Sequence, residues 1–87
     1  MTGEAAPATL LARVQGVWRG AAGEAVAAEA EPVSERAGVV TVRCASAVWA
    51  QELELLSGDL IERLNSALGE PAAVRGLSFR AGGRGNP

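Results

Sequence analysis

Arginine side chains are the groups in this 87-residue sequence best suited to bind another molecule, since all eight basic residues are arginines and lysine is absent. Arg43 lies in a predicted strand, and Arg75 and Arg80 flank another. If those strands are neighbours, the three guanidinium groups would meet on a sheet face that no helix covers. Guanidinium forks bind phosphates and carboxylates, which predicts a nucleic-acid or acidic-protein site. The alternative is ordinary solvated charge paired with glutamates. The candidate partners are Glu35, Glu52 and Glu54.

A second pattern of interest is Gly20-Ala21-Ala22-Gly23, which directly follows Arg19. This G-x-x-G spacing is found in loops that clamp a nucleic-acid backbone. Neither middle residue is basic, and the chain has eleven glycines. A plain interruption of a helix therefore accounts for the pattern as well as a binding loop does.

Two tryptophans could serve as stacking platforms for unpaired bases. Trp18 and Trp49 both fall on the apolar stripe of a predicted helix, however, which favours a place in the core. We therefore expect both indole rings to be structural.

Enzyme chemistry is poorly supported by the residue types present. The sequence has no histidine, the commonest general base and metal ligand, and a single cysteine, Cys44. A strand cysteine without a histidine partner is a poor nucleophile, and a disulfide within the chain is impossible. No nucleotide-binding glycine loop is present. We predict no catalytic residue, metal ligand, cofactor or small-molecule substrate.

The length and composition predict one small globular domain. The chain is 48% hydrophobic and carries a formal net charge of −2, which gives no general attraction to nucleic acid. No apolar run reaches the roughly 20 residues that a membrane span needs. The first residues, MTGEAAPAT, include an acid and lack the basic region of a secretory signal. These features predict a cytoplasmic protein without membrane contact.

Helical spacing of apolar residues begins after Thr9, a predicted N-cap, and is interrupted at residues 20–23. A shorter helix is predicted for residues 24–30, followed by a weak edge strand at residues 33–36. The alternating, β-branched residues 39–45 predict the best strand. The two-residue turn Ala37-Gly38 would join these strands as an antiparallel hairpin.

The longest helical pattern covers residues 46–68, with Ser46 as its N-cap and Gly69 at its end. The Ser57-Gly58 pair is a possible kink in it. A final strand is predicted for residues 73–80, with a possible bulge at Gly76. Across the chain, the predicted core contains Trp18, Trp49, Leu53, Leu56, Leu60, Leu64 and Phe79.

These elements predict a small α+β domain over residues 9–80, in the order α-α-β-β-α-β. Helices would cover one face of a three-stranded sheet. Residues 1–8 and 81–87 are expected to be disordered or flexible tails.

Several motifs in this order resemble the DciA family of bacterial replicative-helicase loaders. The resemblance depends on the joint order and spacing of these motifs. Residues 46–53, SAVWAQEL, follow a strand ending in small residues and match an S-x-x-W-A-x-E-L helix start. An L-N-x-x-L-G helix end is present as well. The supporting segments are Val17-Trp18 with Gly23, Pro32, residues 39–42 and residues 64–69. The resemblance covers about residues 9–80.

The resemblance implies a fold similar to that of KH (K-homology) domains, whose G-x-x-G loop also joins two helices. It further implies a non-enzymatic protein that binds the hexameric replicative helicase (DnaB type) and assists its loading at replication initiation. Some affinity for single-stranded or forked DNA is also implied. Two alternatives remain open: a KH-like RNA-binding protein, and a protein-interaction module without nucleic acid. The candidate contacts are Arg19, Gly20, Gly23, Arg43, Arg75 and Arg80.

Overall fold

The computed structural model describes residues 9–82, so the tail predicted for residues 1–8 and most of the tail predicted for residues 81–87 lie outside the described residues. The tail prediction is wrong at Ala81, which is the last residue of a strand. Within that range the chain forms four helices and three strands. The predicted α+β class is confirmed: helices pack on one side of a three-stranded mixed sheet. In chain order the elements are α1 (Leu10–Ala22), α2 (Glu24–Glu29), β1 (Ala30–Arg36), β2 (Val39–Cys44), α3 (Ala47–Leu55), α4 (Ser57–Leu68) and β3 (Gly76–Ala81).

The first two helices begin and end where local chemistry predicts. The Thr9 hydroxyl accepts a hydrogen bond from the Ala12 N–H at 3.0 Å and caps α1. Gly23, with φ at +99°, separates α1 from α2. The second helix ends at Glu29, one residue earlier than predicted, because Ala30 already pairs with Cys44 in the sheet.

Strand β1 is longer than predicted and starts at Ala30 instead of Val33. Pro32 consequently lies inside the strand, which an edge strand can tolerate. The register between β1 and β2 shifts between Pro32 and Ser34, so one extra residue is accommodated there as a bulge. The predicted antiparallel hairpin is confirmed, with Arg36 opposite Val39.

The sheet has the strand order β1-β2-β3, with β2 in the centre and β3 parallel to it. Strand β3 starts at Gly76 instead of Ala73 and runs to Ala81. Its register with β2 is regular throughout, so the bulge predicted at Gly76 is absent. A parallel pair needs a crossover connection, and α3 and α4 supply it.

The predicted single helix over residues 46–68 is wrong, because the chain forms two helices that meet at Leu56. Leu56 has φ −101° and ψ 9°, outside the helical range, and Ser57 begins α4. The break turns Leu56 away from the apolar stripe, and its side chain is 50% exposed. Its predicted place in the core is therefore also wrong.

The core lies between the sheet and the helices. Trp18, Leu53, Leu60 and Leu64 are buried there, as the apolar spacing predicts, while Trp49 and Phe79 are half-buried and pack against it. The Trp18 indole N–H donates to the carbonyl of Ala30 at 2.9 Å, which ties α1 to the start of the sheet. The sheet contributes Val40, Val42 and Cys44 to this core.

The β1–β2 turn offers a way to stabilise the fold. Ala37 has φ +52° and Gly38 φ +86°, so both central residues take the left-handed conformation of a type I′ turn. Alanine is strained there, whereas asparagine tolerates it. We expect Ala37→Asn to raise the free energy of unfolding by about 0.5–1 kcal/mol in urea denaturation. Ala72→Asn, at an exposed turn position with negative φ, is the control. Equal gains in both variants would contradict the role of the turn.

Candidate functional site

The sheet side opposite the helices forms the candidate site, which we call the open face. Its side chains alternate along each strand with those of the core, so Arg43 is exposed while Val42 and Cys44 are buried. The register aligns them in rows across the sheet. The residues of the open face are Glu31, Ser34, Arg36, Val39, Thr41, Arg43, Ser78 and Arg80.

Two of the three arginines that were predicted to meet on a sheet face are adjacent on the open face. Arg43 in β2 and Arg80 in β3 are register partners in the parallel ladder, and both are exposed. Neighbouring strands lie about 4.8 Å apart, so the two side chains emerge side by side. Arg80 forms no ion pair with any residue in the range 9–82.

Contacts on two sides fix the position of the Arg43 side chain. On the side of β1 its guanidinium donates to the carboxylate of Glu31, which lies directly opposite in the antiparallel register. On the other side its stem lies against Gly82, where a Cβ would collide with the arginine carbons. A shallow cavity of about 660 Å³ adjoins Arg43 at this end of the sheet, and Glu31, Cys44 and Gly82 are among its lining residues.

The third predicted arginine does not join the pair. Arg75 precedes β3 and Arg80 lies five residues further on, so they are at opposite ends of the strand, about 16 Å apart. The Arg75 N–H donates to the carbonyl of Gly38 at 2.8 Å, and its stem packs over that glycine. Arg36, which sequence reasoning did not single out, is the arginine of the open face closest to this end.

The charges of the domain are divided between its two sides. The open face carries Arg36, Arg43 and Arg80 against Glu31. The helices have the opposite balance, with six acids and three arginines. The acids of the helices are Glu24, Glu29, Glu52, Glu54, Asp59 and Glu62. An anionic partner is therefore attracted to the open face and repelled from the helical side, although the whole chain is acidic.

The glycine pattern is not an extended loop. Gly20 lies within α1, and only Gly23 leaves the helical conformation. Arg19, which precedes them, donates to the carboxylate of Glu24 across the break. These residues are on the helical side of the domain, apart from the open face.

Cys44 is structural. It is 1% exposed within the core. Burial raises the pKa of its thiol, and a hydrogen bond with the backbone of Arg80 lowers it by less. A buried, protonated thiol is a weak nucleophile.

Asn65 is the polar residue that sequence reasoning missed. It is buried in α4, donates from Nδ2 to the carbonyls of Pro71 and Val74, and accepts from the Val74 N–H. These bonds fix the connection that leads from α4 into β3. The helix end L-N-x-x-L-G contained the signal, since an asparagine on the apolar side of a helix requires partners.

Within residues 9–82, no group of three or more histidines, cysteines or acids is placed to hold a metal ion. None of the helices in that range is long and apolar enough to cross a membrane. The fold and its site together define a small α+β domain that presents a basic, uncovered sheet face.

Comparison with known proteins places this domain in a family. The model of the family described as "Dna[CI] antecedent, DciA" matches residues 3–79, and the chain belongs to the DciA family. It is also similar to a UPF0232 protein of Rhodococcus jostii (strain RHA1), with 33% identity over 57 residues. That match covers 66% of this chain and 30% of the relative, so the chain spans less than a third of the relative's length in the match.

Proposed function

We propose that this protein binds the replicative helicase of its cell and assists the loading of that helicase onto DNA, with the open face as the contact surface. Membership of the DciA family supports a role in replication with a DnaB-type helicase. The observation that carries the proposal is the adjacent pair of exposed arginines, Arg43 and Arg80, on a sheet face that no helix covers. Guanidinium groups at that spacing suit carboxylates of a protein or phosphates of DNA.

The protein would act by binding and not by catalysis. A partner that binds one conformation of the helicase more tightly than another shifts the helicase toward that conformation. Preference for a conformation that admits single-stranded DNA would assist loading, and any ATP hydrolysis would be carried out by the helicase.

Size-exclusion chromatography with light scattering tests the proposal. The protein is mixed with the replicative helicase from the same organism, with and without a short DNA fork. We expect a complex whose mass gives the stoichiometry. Separate elution of the two proteins in every condition would contradict helicase binding by this chain.

A weak contact with single-stranded DNA is expected from the same face. If Arg36, Arg43 and Arg80 each neutralise one phosphate, the logarithm of the affinity should fall with the logarithm of salt with a slope of about −2. Arg80→Ala should bring the slope to about −1.4, because one phosphate contact is lost. Fluorescence anisotropy with a labelled oligonucleotide measures both slopes.

The control for this experiment is Arg63→Ala, since Arg63 is on α4 and pairs with Asp59 at 3.0 Å. Its slope should equal that of the unmodified protein. A slope that changes with Arg63 and not with Arg80 would assign the DNA contact to the helices. Tighter binding of RNA than of DNA of the same length would favour an RNA-binding protein instead.

A further inference from the structure

The outer edge of β3 has backbone groups that the sheet leaves unpaired. The N–H groups of Gly76 and Gly82 donate to the carbonyls of Gly38 and Cys44, so the even-numbered residues of this strand face β2. In a parallel ladder the alternate residues point the other way. The N–H and C=O groups of Leu77, Phe79 and Ala81 therefore point outward, and no loop or side chain within residues 9–82 bonds to their N–H groups.

The opposite edge of the sheet is protected. Strand β1 contains Pro32, which has no N–H, and a bulge lies between Pro32 and Ser34. The side-chain amide of Gln15 donates to the Pro32 carbonyl at 3.0 Å. Proline, a bulge and a covering side chain are the usual means by which edge strands avoid pairing. Strand β3 has neither proline nor bulge, so among residues 9–82 the sheet is protected at the β1 edge and unprotected at the β3 edge.

We infer that the edge of β3 binds an extended segment of a protein partner in which acidic and apolar residues alternate. An added strand would make main-chain hydrogen bonds to Leu77, Phe79 and Ala81. On the helix side, its side chains would lie beside the half-buried Leu77 and Phe79, which suits apolar residues. On the open face they would lie beside Arg80, which has no ion-pair partner within residues 9–82, and this suits carboxylates.

A second copy of this chain fits the edge less well because of charge. Antiparallel pairing of two β3 strands about Phe79 would bring the two Arg80 side chains onto one face, about 8 Å apart. Each Arg80 is next to the Arg43 of its own sheet, so four arginines would cluster there. An added strand with acidic side chains neutralises the positive charge of Arg43 and Arg80, whereas a second copy of the chain doubles that charge. The inference goes beyond helicase binding, since it specifies the chemistry of the segment and not the identity of the partner.

The test uses the whole chain labelled with ¹⁵N and a short blocked peptide that alternates valine and glutamate. We expect chemical-shift changes and slower hydrogen exchange at the amides of Leu77, Phe79 and Ala81. A peptide with lysine in place of glutamate should bind about fivefold more weakly, as expected for a charge placed opposite Arg80. Arg80→Glu should reverse this preference between the two peptides.

A backbone variant separates strand addition from simple charge attraction. Ala81→Pro removes one outward N–H at a position where an edge strand tolerates proline, and should weaken binding of the glutamate peptide. Ala81→Ser keeps the N–H and should bind normally. Equal binding of both peptides, or shifts confined to β1, would overturn the inference. Protection of the β3 amides that rises with protein concentration in the absence of peptide would overturn it in favour of a second copy.

Discussion

Replacing Asn65 with leucine is expected to lower the free energy of unfolding by about 3 kcal/mol. The side chain is 7% exposed and makes three hydrogen bonds within the domain. Its Nδ2 group donates to the carbonyls of Pro71 and Val74 at 3.1 and 3.0 Å, and its Oδ1 accepts from the Val74 N–H at 2.7 Å. Leucine has a similar volume but no polar atoms, so the backbone of the buried Val74 would lose its partners.

The expected loss of stability follows from the N–H and C=O groups of Val74 that would be left without hydrogen-bond partners. A net hydrogen bond contributes about 1 kcal/mol, and a buried donor or acceptor left unsatisfied costs about 1–3 kcal/mol. Urea denaturation followed by tryptophan fluorescence measures the change. Ser66→Ala is the matched control, because Ser66 is the next residue in α4 and is exposed. A loss below about 1 kcal/mol for Asn65→Leu would show that water replaces the lost bonds.

An aspartate at the same position gives a pH-dependent version of the test. Asn65→Asp keeps the acceptor for the Val74 N–H but places a carboxylate against two carbonyl oxygens. Burial and those oxygens would raise the pKa of the new carboxyl above its unfolded value. The unfolded state then loses its proton first as pH rises, so this variant should be less stable at pH 7 than at pH 4, relative to the unmodified protein.

The parts of the fold that could be predicted from the sequence depend on local chemistry. The caps Thr9 and Ser46 accept hydrogen bonds from the first turns of their helices, and Gly69 takes the left-handed conformation at the end of α4. The alternation in VVTVRC and the Ala37-Gly38 turn determine the hairpin. Each of these signals lies within about four residues, so no knowledge of tertiary packing is needed.

The break at Leu56 could not be predicted from the same spacing. Leu56 continues the apolar stripe in sequence, yet α3 packs mainly on β3 whereas α4 packs mainly on α1, and the chain departs from helical geometry between them. The Ser57-Gly58 pair predicted a kink in a single helix and not the division of that helix into two. The packing of α3 and α4 against other elements outweighs the helical propensity of the residues between them, which is only a weak preference.

In the candidate site, too, local patterns could be predicted from the sequence and contacts between distant residues could not. The adjacency of Arg43 and Arg80 could be expected from two alternating strands, but the partner of Arg43 could not. Without the bulge in β1, Pro32 would lie opposite Arg43; the extra residue shifts the register and brings Glu31 there instead. Glu35, a predicted partner, accepts from the Gly38 N–H at 2.8 Å. A single bulge thus determines which carboxylate reaches the open face.

Reversing both adjacent charges on the open face is expected to weaken helicase binding by about 10- to 100-fold. The variant combines Arg43→Glu with Arg80→Glu. Each reversal replaces an attractive contact by a repulsive one, and each tenfold loss corresponds to about 1.4 kcal/mol. Light scattering of the mixed proteins or biolayer interferometry with immobilised helicase measures the loss. Circular dichroism should be unchanged, because both side chains are exposed.

Two controls separate the charge of the face from other effects. Arg43→Glu alone would place two carboxylates opposite each other, since Glu31 is its partner. Combining it with Glu31→Arg restores an ion pair and the net charge of the face but moves the arginine from β2 to β1, away from Arg80. This swapped variant should therefore lose binding as well, whereas retained binding would mean that the net charge of the face, and not the adjacent pair, carries the contact. The second control, Arg19→Glu with Arg63→Glu, makes the same change of net charge on the helical side.

The comparison of these variants decides where the helicase is bound. If the adjacent arginines of the open face carry the contact, the double reversal and the swapped variant lose binding while the helical variant keeps it. Loss in the helical variant alone would transfer the site to α1 and α4, which carry Arg19 and Arg63. Equal losses in both double variants would mean that only the total charge of the protein matters, as in long-range electrostatic attraction between the two proteins. Salt screens such attraction, so these losses should disappear at high salt. A loss specific to Arg43 and Arg80 that persists at high salt requires direct contact with the partner.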